Sequence, residues 1–300
     1  MLPPLFSNKS YWLQFCYLLF FIVGGLTIFS SLAAIICLRA DTNSRLYLYI
    51  IQSISTLGAF LLPALLFSYC VSKKLFSYNK ADKITPPQLA GYVLILSFLI
   101  LPVIACLGYF NEQISLPCFM QKIEIWMREM EEKSRIALHL LTAHSTIPIL
   151  LLNIIIMALL PAIFEEFLFR GTIQQLFSKW FSNKHVAIVI TAFIFSAIHF
   201  QFFGFIPRFL LGIYLGYLFV WGRSLWLPII AHFMHNAISL IFDYGAQRRG
   251  IDLEAITPIQ MKEFYPAILL CTFCVGTGIY FLWKKATIPI CFELDKDKRG

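Results

Sequence analysis

A chain of 300 residues that is 59% hydrophobic and only 13% charged, with mean hydropathy +0.76, has lipid as its main solvent. This composition excludes an ordinary soluble domain and predicts an all-α, polytopic membrane helix bundle. The formal charge of +8 does not point to nucleic acid. No basic stripe or nucleic-acid module accompanies it, and the lysines cluster beside apolar runs, as membrane topology requires.

Taken in order, the apolar runs predict about eight spans of roughly 20 residues. Their limits are Tyr11–Leu38, Tyr47–Val71, Gly91–Phe110, Ile147–Phe169, His185–Phe202, Ile206–Val220, Trp226–Phe242 and Tyr265–Trp283. The first is too long for the apolar part of a cleavable signal peptide and lacks a clear cleavage site. Between the third and fourth, Cys118–His144 reads as amphipathic, with Ile123, Trp126, Met127 and Met130 on one face and Glu124, Arg128, Glu131 and Glu132 mostly opposite. Such a segment lies along the interface, caps a site or simply connects its neighbours. Gly212 and Gly216, four residues apart, predict a close approach of the sixth helix to a neighbour.

With the N-terminus inside, Lys9, Lys73, Lys74, Lys80, Lys83, Lys179, Lys184, Arg223, Lys284, Lys285, Lys296, Lys298 and Arg299 fall on the inner side. Arg39, Arg45, Arg208, Arg248, Arg249 and Lys262 fall outside, together with a helix in which Lys122, Arg128, Lys133 and Arg135 are mixed with acids; the moderate bias favours both termini in the cytoplasm. The cysteines lie mostly inside apolar runs and read as small packing residues, including the Cys271/Cys274 pair. No internal repeat or soluble boundary is visible. The chain divides into N-terminal helices with the amphipathic connection (1–146), a polar-bearing core (147–242) and a last helix with a basic tail (243–300).

The most costly stretch is Phe164-Glu165-Glu166-Phe167-Leu168-Phe169-Arg170. An ionisable side chain at membrane depth costs about 2.5–3.5 kcal/mol on insertion scales, so three of them require partners or a function. Glu166 and Arg170 are i and i+4 and can pair on a helix, which leaves Glu165 over. Downstream, Phe195 and His199 lie in the next apolar run, and His232, His235 and Asn236 in a third, with His232 and Asn236 on one helix face. Polar side chains on three successive membrane segments must converge in the bundle interior, so an active site inside the bundle is predicted.

A carboxylate beside an imidazole can hold a water and remove its proton. An imidazole and an amide one helical turn apart can stabilise the oxyanion that forms when this water attacks a carbonyl. The inventory therefore fits amide hydrolysis. A zinc site using Glu165, His199 and His232 is the chemical rival, weakened by the absence of an HExxH spacing. Ser196 and the cysteines carry no motif that marks a nucleophile.

Glu165-Glu166-x-x-x-Arg170, Phe195-x-x-x-His199 and His232-x-x-x-Asn236, in this order on separate segments, resemble the CPBP (Abi) family, which comprises type II CAAX prenyl endopeptidases and bacteriocin-processing or immunity proteins. The resemblance covers about Ile147 to Phe242. It implies an eight-helix, glutamate-dependent intramembrane endopeptidase that needs no cofactor, of a kind formerly classed as a metalloprotease. It further implies Glu165 as the base, His199 as the second holder of the water, and His232 and Asn236 as the oxyanion site. Glu166, Arg170 and Phe195 would support these groups. The substrate would be a membrane-associated protein or peptide, prenylated or of leader type, and the setting the lipid bilayer of a bacterial inner membrane. A noncatalytic immunity or scaffold protein uses the same motifs. An ion-coupled transporter would instead show repeated halves, which the sequence lacks.

Overall fold

The computed structural model describes residues 4–42, 44–144, 146–251 and 258–297, with the side chains of the last stretch described over 262–285. Lys298 and Arg299 of the expected basic tail lie outside the described residues, as do the side chains of Cys291 and Lys296. In chain order the helices are α1 (Tyr11–Ile36), α2 (Arg45–Ser72), α3 (Pro87–Glu112), α4 (Gln121–Thr142), α5 (Ile147–Trp180), α6 (Lys184–Ala197), α7 (Phe205–Gly222), α8 (Trp226–Arg248) and α9 (Pro258–Asp297). No strand occurs among the described residues.

Six of these helices are long and apolar enough to cross a membrane: α1, α2, α3, α5, α7 with its preceding turn, and the Lys262–Lys285 part of α9. The chain is an integral membrane protein, an all-α bundle. The other two expected spans are helices of a different kind. α6 has 14 residues, too few for a straight crossing. α8 has 23, but carries His232, His235, Asn236 and Asp243 along its length. Cys271 and Cys274, the CxxC pair, are free thiols on α9.

Interior prolines occur in α3, where Pro102 sits in an uninterrupted α-helix, and in α2 and α5, where the helix widens ahead of them. Proline lacks the N–H and its ring strikes the carbonyl four residues earlier. In the two widened helices a π-helical turn directly precedes the proline: Leu57–Leu61 before Pro63 in α2, and Ile154–Leu159 before Pro161 in α5. A third π turn, Phe169–Gln174, carries Arg170. The sequence reading ends this helix near Phe169, yet it continues to Trp180. Gly171 is the reason. It does not break the helix but makes room for Asn79, whose Oδ1 would lie 2.6 Å from a Cβ at this position. Asn79 in turn donates to Ser68 Oγ at 2.8 Å and accepts from Thr172 Oγ1 at 3.3 Å, tying α5 to α2.

α7 is the central element, packed against α3, α5, α6 and α8. Its close approach to α6 follows the expected glycines: a Cβ on Gly212 would lie 3.0 Å from Ala192 Cβ. The same bare backbone exposes carbonyls to α5, and Arg170 Nη2 donates to Gly212 O while Gln174 Nε2 donates to Gly216 O, both at 3.1 Å. One apolar cluster, including Leu18, Phe67, Phe169, Phe195 and Phe219, packs α1, α2, α5, α6 and α7 together. A second, including Val93, Leu96, Leu215, Leu227 and Val275, packs α3, α7, α8 and α9.

α4 differs from its expected face. Ile123 and Trp126 are exposed, Met127 and Met130 half-buried, and Glu131 turns inward, where its Oε2 accepts from Phe203 N at 3.4 Å. The end of α4 is held by Arg45 of α2, whose guanidinium donates to the carbonyls of Leu140 and Ala143.

Gly212→Val should destabilise the purified protein by about 1–3 kcal/mol through overpacking against α6. Gly24→Val is the control, because a Cβ at Gly24 meets nothing within 4 Å. Thermal midpoints in detergent check this, and equal midpoints for the two variants would remove the α6–α7 crossing as a packing constraint.

Candidate active site

The expected site residues come from α5, α6 and α8. Glu165, Glu166 and Arg170 sit on the inner side of α5, exposed by 7%, 0% and 0% respectively. As the i, i+4 spacing predicts, Arg170 Nη1 donates to Glu166 Oε1 at 2.6 Å. The guanidinium also lies over the Phe195 ring, 4.6 Å from its centroid. A buried pair of this kind is stable only with good geometry and satisfied neighbours. The Gly212 carbonyl and the Phe195 face supply part of that need.

His232 reaches into the same cluster from α8. Its Nδ1 lies 2.9 Å from Glu166 Oε1, and its Nε2 lies 4.0 Å from Glu165 Oε2. Glu166 therefore receives both an arginine and an imidazole. The carboxylate ion-paired to Arg170 only accepts, so Nδ1 of His232 carries the proton of that contact. Glu165, the surplus carboxylate of the sequence, has a buried Oε2 with no hydrogen-bond partner.

His199 was expected inside a continuous fifth helix. It lies instead in the turn just after α6, which ends at Ala197 and leaves Phe200 at φ 53. The Ser196 hydroxyl fixes this turn by donating to Phe205 O at 2.8 Å, which commits its proton to structure. His199 Nδ1 lies 2.8 Å from Phe195 O. A carbonyl only accepts, so Nδ1 is the protonated nitrogen and Nε2 keeps its lone pair. The Phe195 ring stands edge-on between the two imidazoles, with centroids 5.3 Å from His199 and 5.8 Å from His232. Asn236 is half-buried one turn beyond His232 on α8. His235, which has no assigned role, is half-buried with an unpartnered Nδ1.

A residue missing from the sequence-based site is Arg208. It was counted among outer basic residues, but it lies half-buried in the first turn of α7. Its charge acts on Glu165, His199 and His235. A signal was present: an arginine within an apolar run, with no acidic residue three or four positions away. Glu131 of α4 also lies in the field of Arg208. Burial raises the Glu131 carboxyl above its ordinary range, opposed by the Phe203 N–H and by Arg208.

The ligand set of the zinc alternative is not assembled here. Among the described residues, no three His, Cys, Asp or Glu side chains converge as a metal-binding group.

Residues 147–238 match the family described as type II CAAX prenyl endopeptidase Rce1-like. This segment is similar to that family. The Rce1-like segment includes α5, α6 and α7 and the first part of α8, so it contains every motif residue described above. A relative, "Uncharacterized protein YpbD" of Bacillus subtilis (strain 168), is 32% identical over 90 residues, which cover 29% of this chain and 43% of the relative. No solved structure matches the chain.

Arg170→Met should strand the buried Glu166 carboxylate and cost about 3–5 kcal/mol, seen as loss of monodisperse protein on size exclusion. The double variant Glu166→Gln/Arg170→Met should recover much of that yield, because no buried charge is left alone. Full yield from the single variant would show that the pair does not constrain the fold.

Proposed function

We propose that the chain is an intramembrane endopeptidase that hydrolyses a peptide bond of a membrane-associated protein or peptide, using a water held by Glu165 and His199 and no metal. The observation that supports this best is the unpartnered Glu165 carboxylate oxygen, buried beside His232 within the Rce1-like segment. A carboxylate in such a place is expensive unless it has work to do.

The roles follow from which atoms are already engaged. Glu166 Oε1 is held by Arg170 and His232, which ties that carboxylate down as an ion-paired anion, whereas Glu165 has no arginine in contact and serves as the base. His199 offers its Nε2 lone pair, because Nδ1 is turned to the Phe195 carbonyl. A water donating one proton toward Glu165 and the other toward His199 Nε2 presents its oxygen to the scissile carbonyl. As the C–O bond forms, Glu165 takes the proton and the carbonyl oxygen becomes an oxyanion. The Asn236 amide and His232 Nε2 supply hydrogen bonds to it. Because His232 Nδ1–H is committed to Glu166, Nε2 donates only when the ring is an imidazolium. Collapse breaks the C–N bond, and Glu165 returns its proton to the leaving nitrogen.

The resemblance to CAAX prenyl endopeptidases makes a lipidated peptide the preferred substrate, one already dissolved in the bilayer. The tally of basic residues supports both termini on the cytoplasmic side, and the similarity to a Bacillus subtilis protein favours a bacterial cell membrane.

Glu165→Gln, His199→Ala, His232→Ala and Asn236→Ala should each purify as folded protein and lose cleavage, Glu165→Gln and His199→Ala by about a hundredfold or more. The assay is turnover of a panel of quenched peptides, prenylated and unprenylated, before and after exhaustive chelation. Wild-type turnover that survives chelation supports the reading. Loss on chelation with recovery on zinc would replace it with a metal mechanism, and undiminished turnover by Glu165→Gln would remove Glu165 as the base.

A further inference from the structure

Arg208 is a half-buried cation without a carboxylate contact. Among the described residues its acceptors are both on Gln201: the backbone carbonyl, 3.3 Å from Nη1, and the side-chain Oε1, 2.8 Å from Nη2. A guanidinium has five N–H donors, so most of its capacity is unspent. Glu131 and Glu165 both lie within its electrostatic reach, yet among the described residues neither is within ion-pair distance. Arg170, by contrast, is fully buried and ion-paired to Glu166, with Gly212 O and the Phe195 ring beside it.

The surroundings hold Arg208 in place. Gln201 lies two residues after His199 on the same turn, so the guanidinium is registered to one of the two proposed water-holding groups. Gly204 leaves the space that the side chain occupies, since a Cβ there would sit 3.0 Å from Arg208 Nη2. From outside the turn, α4 clamps it. Arg128 lies 4.4 Å over the Phe203 ring, Trp126 packs at 5.3 Å on Phe202, and Glu131 accepts from Phe203 N. Anchored in this way, the planar fork of donors has the geometry that receives a carboxylate through two parallel hydrogen bonds.

We propose that Arg208, positioned by Gln201, forms a carboxylate-binding subsite beside Glu165 and His199, and that it holds a carboxylate of the peptide close to the bond being cut. Two sources offer this group: the free C-terminus of the peptide and an acidic side chain near it. The proposal rests on the endopeptidase reading for the substrate being a peptide; the unspent guanidinium stands without that reading.

The test compares a farnesylated peptide with a free C-terminal carboxylate, the same peptide as its C-terminal amide, and an amide carrying Glu near the end. Each is assayed with wild type, Arg208→Gln and Arg208→Lys. Wild type should favour the acid over the amide by about tenfold or more in kcat/KM, as expected for a hydrogen bond to a charged group. Arg208→Gln should abolish that ratio, and Arg208→Lys should keep part of it. If the Glu-bearing amide is cleaved like the acid, any nearby carboxylate serves; if like the plain amide, the chain end is the ligand. An undiminished ratio in Arg208→Gln overturns the proposal. So does an equal fall for acid and amide with a displaced pH profile, which would assign Arg208 to the ionisation of Glu165 instead. Binding provides the independent arm: Glu165→Gln should bind the acid more tightly than the amide, and Glu165→Gln/Arg208→Gln should not. If wild type cleaves no peptide while that binding preference holds, the endopeptidase reading fails and the subsite stands. If wild type cleaves without preferring the acid, the subsite fails and the endopeptidase reading stands.

Discussion

The Arg170–Glu166 pair lies at the centre of the bundle with both side chains fully buried, and the arrangement of four helices depends on it. A guanidinium in the membrane interior pairs with carboxylates or backbone carbonyls. α5 supplies the carboxylate one turn away, α7 supplies the Gly212 carbonyl, and α6 supplies the face of Phe195. The glycines of α7 are part of the same constraint, because a side chain at position 212 would hold the helices apart and carry the carbonyl out of reach. The site is thus attached to the bundle's most costly charge, which limits how far its groups can move.

From that attachment comes a division between the two adjacent glutamates. They differ by one residue in sequence and by nearly everything in environment. Glu166 accepts from Arg170 and from His232 through the same oxygen, Oε1, so its charge is held by two donors even though Oε2 is unpartnered. Glu165 faces the other way, near His232 Nε2 and within the field of Arg208, with an oxygen that has no partner. The helical rotation of about 100° between neighbours is enough to separate a structural carboxylate from a reactive one. The two histidines are divided in a similar way: each commits Nδ1 to a fixed acceptor and leaves Nε2 for the cavity.

Much of this was legible in the chain. Hydropathy identifies the bundle, and the i, i+4 spacing identifies the Glu166–Arg170 pair before any coordinates are seen. The motif order places Glu165, His199 and His232 on neighbouring helices, and the Rce1-like match covers the same stretch. What was not legible depends on distant contacts. Gly171 looks like a helix end, but its purpose is to admit Asn79 from the loop after α2, a partner 92 positions away in sequence. α4 was assigned a face from its apolar residues alone, whereas Glu131 turns inward because the Phe203 N–H lies there to receive it. Arg208 was counted only as an outer basic residue at the start of the sixth span, because hydropathy cannot distinguish a residue at the rim of a helix from one folded back over the active-site turn.

The two arginines complete the electrostatics. Glu165 and Glu166 bring two carboxylates, and Arg170 and Arg208 two guanidiniums to balance them. In a medium of low dielectric that balance is a condition for placing so many charges together. The balance is achieved at unequal distances. Arg170 touches its carboxylate and is spent on it, while Arg208 offsets Glu165 through space and keeps its donors. A contact pair resists change, because separating it strands a charge; an offset pair can admit a third group without breaking a bond. The same charge count thus yields one rigid half, which fixes the helices, and one open half, which can receive a ligand at the base.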